Sequence, residues 1–99
     1  MQLRDGERLV AEQDVVIRER HIMNVRISEH EAESFWRLDV CDPEAPRMSM
    51  TTTVSEADSF LMHLMHDAAG GEPAAWRRLA EWGHERLIRP APGFRAARV

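Results

Sequence analysis

The side chains best suited to chemistry gather in one stretch, SFLMHLMHDA at residues 59–68. His63 and His66 stand at i, i+3, with Met62 and Met65 interleaved. Imidazole and thioether donors of this kind serve copper and haem sites. Counted at 100° per residue, however, Met65 joins Leu61 and Leu64 on an apolar stripe, while His63 and His66 turn to the opposite, polar face. Two ligands one turn apart fall short of the three or four that zinc takes. His84, His30 or a second copy of the chain would have to complete the set. His63, His66 and His84 are therefore the metal candidates, and the expectation is no bound metal or cofactor.

A thiol site fares no better. Cys41 is the sole cysteine and has no CxxC partner. Asp39 and Cys41 share one face of an extended strand, and His21 is assigned to the other, so a Cys–His–Asp set does not assemble. Phosphate-binding loops, dinucleotide fingerprints, HExxH and nucleophile elbows are missing, and Glu29, Glu31 and Glu33 read as solvated. The chain is expected not to be an enzyme.

Arginine offers a different chemistry. All thirteen basic residues are arginine, against 17 acids, for a net charge of −4. Residues 1–73 carry −8 and residues 74–99 carry +4. An acidic chain argues against general duplex binding. Alternation along 15–27 nevertheless puts Arg18, Arg20, Asn24 and Arg26 on an outer sheet face near Phe35 and Arg37. Guanidinium beside an aromatic ring is how sheets hold single-stranded nucleic acid; the plain alternative is a solvated face with Asp39 and Glu29 balancing it. Apolar residues off the core faces suggest protein contacts instead: Met62 and Trp82 on helices, Val16 and Ile22 among the arginines.

The elements that must position these residues follow from periodicity. Val15–Ile27 alternates as a strand, long enough to need a bulge or bend around Glu19–His21. Residues 1–14 form either a short extra strand around Leu9–Val10, turned at Gln13–Asp14, or an irregular arm. Residues 28–33 connect to a second strand at 34–40. The two prolines of CDPEAP make 41–46 a loop, and 47–54 is a third strand. A helix is expected over 55–69, capped by Ser55 and stopped by Gly70–Gly71, with Ala57, Phe60, Leu61, Leu64, Met65 and Ala68 buried. A second helix runs from Pro73 to Arg89 on Trp76, Leu79, Ala80, Gly83 and Leu87.

These elements predict an α+β fold in β-β-β-α-α order: a three- or four-stranded antiparallel meander with both C-terminal helices on one face. Residues 1–89 make one domain, and 90–99 a flexible basic tail anchored only by Phe94. No apolar run spans a membrane and the single cysteine fits a reducing compartment, so a cytoplasmic protein is expected. The long first strand extends beyond the second, leaving an edge to be covered by residues 7–12 or by a second copy. The functional expectation is a small interaction module, adaptor, accessory or regulatory, acting as a homodimer or on an unknown protein partner. Single-stranded nucleic-acid binding and a His/Met metal site are the alternatives.

Overall fold

The structure is a computed structural model that describes residues 6–18, 20–30, 35–45, 47–55 and 57–88. Four strands, β1 (Glu7–Arg18), β2 (His21–His30), β3 (Phe35–Cys41) and β4 (Ser49–Ser55), precede two helices, α1 (Ser59–Ala69) and α2 (Pro73–Ile88). The sheet is antiparallel in the order β1-β2-β3-β4. The expected α+β architecture is therefore present, with four strands.

The fourth strand comes from the stretch 15–27. Its lapse in alternation, expected as a bulge or bend within one strand, is a full hairpin: the chain reverses between the paired residues Arg18 and His21. Gln13 and Asp14 accordingly do not turn. They lie in mid-strand opposite Val25 and Asn24. Residues 28–30, expected as connection, continue β2 opposite Arg37, Trp36 and Phe35. The edge that remained open in the sequence reading is thus filled by β1, which itself becomes the edge.

One sheet face is apolar and carries the helices. Val15, Ile17, Met23, Val25, Ile27, Leu38, Val40 and Val54 enclose a core with Leu61, Leu64, Met65, Ala68, Trp76, Leu79 and Ala80. Alternating strand residues meet a helical stripe, which is why the core is continuous. At Gly83 the helix comes so close to the sheet that a Cβ would lie 2.5 Å from Val40 Cγ2. The missing side chain at Gly83 is what lets α2 seat against the sheet.

α1 begins later than the sequence suggested. Asp58, not Ser55, is the N-cap, its Oδ1 accepting the Leu61 N–H at 3.3 Å. Ser55 ends β4 and accepts the Ala57 N–H instead. Phe60, one residue into the shorter helix, is 57% exposed rather than buried. The helix stop falls where expected, with α1 ending at Ala69 and Gly70–Gly71 following it. Gly70 keeps a right-handed φ of −82°, while Gly71 takes φ +102°. Glu72 N–H then reaches Asp67 O and Gly71 N–H reaches Ala68 O, satisfying the last carbonyls. No helix of the described residues is long and apolar enough to cross a membrane. The C-terminal tail with Phe94, and the expected end at Pro90, lie outside the described residues.

Candidate functional site: the β1–β2 hairpin end

One end of the molecule collects more chemistry than the rest. It starts at the irregularity between Val16 and Arg18, where β1 slips by one residue against β2. A bulge reverses which face the next side chain takes. Val16 stays on the outer face opposite Ile22, but Arg18 sits opposite His21 and turns toward the helices. There it lines an open groove of about 810 Å³ with Ile17, Arg20, His21, Glu44 and Arg77. A second hollow of about 260 Å³ shares Ile17 and Arg18 and adds Glu81, His84 and Glu85. Simple alternation had placed Arg18 on the outer face; the bulge is the correction.

Asp42 organises this corner. The Asp-Pro-Glu sequence closes a turn in which Ala45 N–H bonds Asp42 O, and Glu44 N–H bonds Asp42 Oδ1 at 3.0 Å. An aspartate before proline commonly folds back on the backbone in this way. Its other oxygen, Oδ2, lies 2.9 Å from His21 Nε2. Partial burial pushes the Asp42 carboxyl upward, but the Glu44 amide and His21 outweigh it and hold the pKa below the ordinary value. An ionised carboxylate only accepts, so His21 Nε2 carries the hydrogen and Nδ1 is the open nitrogen.

His84 packs edge-on against His21, with ring centroids 5.1 Å apart. It is 7% exposed. Burial depresses its pKa, and the charges of Arg18 and His21 add to that against Asp42 and Glu85. His84 is therefore a neutral wall of the corner, tying α2 to the hairpin. Arg77 is held from the same helix, its Nη2 donating to Ile17 O at 3.4 Å and its Nε to Glu81 at 3.3 Å.

The other candidates are dispersed. His63 and His66 are exposed on α1, His63 Nδ1 lying 3.1 Å from its own Ser59 carbonyl and His66 tilted against Trp36. They border a shallow hollow with Ser59 and Met62, while His84 belongs to the opposite corner beside His21. No cluster of three His, Cys, Asp or Glu among the described residues has metal-binding geometry.

The arginine–aromatic platform likewise does not converge. Phe35 pairs with His30 at the far end of β2 from His21, about 30 Å along the strand. Its ring tilts on that of His30 at 5.1 Å. Arg37 is 11% exposed and contacts both Glu7 oxygens, at 2.9 and 3.0 Å, and Asp39 at 3.0 Å. Arg26 bonds Glu12, and Asn24 bonds Glu12 and Asp14. The hydrogen bonds from Asn24 and Arg26 hold Glu12 below its ordinary pKa. The outer face is thus largely neutralised by its own acids.

Of the apolar candidates, Trp82 and Met62 are not free of the core as expected. Both are half-buried and pack against it, and the Arg86 guanidinium covers the Trp82 ring at 3.9 Å. Val16 and Ile22 are the ones left open, 52% and 43% exposed. Leu9, 40% exposed and opposite Ser28, stands farther along the same outer face. Sequence reasoning missed Asp42, Arg77 and Leu9. An Asx-Pro turn beside a strand end was the available signal for the first; the other two depend on tertiary placement. Compared with protein-family models, curated proteins and solved structures, the chain matches none.

Proposed function

We propose that this protein is a non-enzymatic interaction module whose contact surface is the outer face of the β1–β2 hairpin, and that its first partner is a second copy of itself. The observation that carries the reading is the cross-strand pair Val16–Ile22, both members large, apolar and open to solvent. Single exposed apolar residues are ordinary; two in direct register on a strand pair make a contact centre. Leu9 supplies a matching apolar point at the other end of the same strand.

Between them lie Glu12, Asp14, Asn24 and Arg26, bonded to one another. Such a band can be covered without stranding an unpaired charge. A two-fold axis over this band sets Val16 and Ile22 of each copy against Leu9 of the other, a self-complementary arrangement. The edge of β1 is the poorer route. Register shifts on both sides of Ala11–Val16 break it, and even-register pairing of that segment with itself sets Glu12 or Asp14 opposite another acid. The face therefore replaces the edge as the proposed contact, and an adaptor or accessory role follows from such a dimer.

Sedimentation equilibrium of the wild type and of Val16→Thr/Ile22→Thr tests the reading. Threonine keeps the β-branched backbone preference while removing apolar surface. The expected result is a dimer of the 11.4 kDa chain that the double variant converts to monomer. A wild type that stays monomeric to near-millimolar concentration contradicts it.

A further inference from the structure

We propose that the groove at the hairpin end is a binding site for a phosphate monoester dianion, held by Arg18, Arg20, Arg77 and His21. The site is built rather than incidental. The β1 bulge turns Arg18 from the outer face into the groove, beside His21 and Arg77. Bulges often re-aim a side chain at a functional site. Arg77 is fixed by Ile17 O and Glu81 through Nη2 and Nε, which leaves Nη1 for a ligand. His21 is oriented by Asp42 through Nε2 and lines the groove with the arginines.

The charges favour an anion. Arg18 and Arg20 engage no carboxylate among the described residues, and Glu81 is already taken by Arg77. Among the described residues, Glu44 is the acid lining the groove. With Arg77 and Glu81 counted as a pair, Arg18 and Arg20 face Glu44 and leave a net positive charge among the described residues, which favours an anion. Guanidinium forks approaching from two strand-end residues and a helix also suit the several oxygens of a tetrahedral phosphate. This local excess of positive charge stands in a chain of net charge −4, so it is not the by-product of a generally basic surface. The groove lies on the helix side of the hairpin, and its occupancy does not depend on contact through the outer face.

The phosphate can belong to a free metabolite or to a phosphorylated side chain of a partner, and the test separates the two. Amide chemical shifts are followed while inorganic phosphate, O-phosphoserine, a neutral phosphoserine-containing peptide and its unphosphorylated form are added at constant ionic strength. Saturable shifts confined to residues 17–21, 42, 44, 45, 77 and 84 are expected from the phosphorylated probes. Arg18→Gln/Arg20→Gln, at two exposed positions, should weaken binding at least about ten-fold with the remaining spectrum unchanged. Glu44→Gln should strengthen it. Equal affinity for phosphoserine and the phosphopeptide assigns a small molecule; a tighter peptide assigns a partner side chain. Shifts that do not saturate, or saturable binding that the double variant leaves intact, overturn the proposal.

Discussion

Two glycines show how differently single residues constrain this chain. Gly71 has φ +102° and open space where a Cβ would stand. Gly71→Ala should therefore lose only the left-handed preference, about 1 kcal/mol. Gly83 has ordinary helical geometry, but its Cβ would strike Val40. Gly83→Ala gains helix propensity yet overpacks the sheet, for a net loss of about 1–3 kcal/mol. Urea denaturation separates the cases: Val40→Ala should partly rescue Gly83→Ala and leave Gly71→Ala untouched. Arg37 is a third such residue. It faces Glu7, whose side chain is 3% exposed, and Asp39 at 18%. Arg37→Leu removes the guanidinium that pairs with both carboxylates and should cost about 3–5 kcal/mol. Glu7→Gln in that background should recover part of the loss, and a double-mutant cycle showing no coupling would refute the pairing.

Among the elements, α2 depends on the hairpin it covers, and His84 makes that dependence titrate. In the unfolded chain His84 takes its proton near the ordinary value of about 6.5, whereas burial lowers its affinity in the fold. At neutral pH and above both states hold it neutral and nothing is lost. As pH falls below about 6.5 the unfolded state binds the proton first, so stability falls until folded His84 also protonates. Urea midpoints measured from about pH 7 to 5 should decline in the wild type and decline less in His84→Gln; parallel profiles would contradict this role.

The elements were also unequally legible in the sequence. Periodicity marked both helices, β3 and β4 because each buries one face against the core. The β1–β2 hairpin was read as one strand because both arms bury alternate residues. Its turn carries neither Asn-Gly nor Gly-Gly at the reversal. The bulge beside it inverted Arg18, separating it from Arg26, Phe35 and Arg37 on the outer face. Asp58 displaced Ser55 as cap because Ser55 was already committed to β4. What periodicity could not supply was register, and the candidate site is a consequence of register.

At the scale of the whole molecule, the sheet divides the protein's two surfaces. The helix face is filled by core, with the arginine-lined groove at its hairpin end. The outer face carries an internally bonded polar band flanked by Val16–Ile22 and Leu9. If a second copy binds there, its apolar points must meet crosswise, and this is directly observable. A sample mixing isotope-labelled and unlabelled chains, examined by filtered NOE spectroscopy, should show cross-peaks from Val16 and Ile22 methyls of one copy to Leu9 methyls of the other. Intermolecular contacts confined to the β1 edge amides or to α1, or none at near-millimolar concentration, would contradict the proposed contact face.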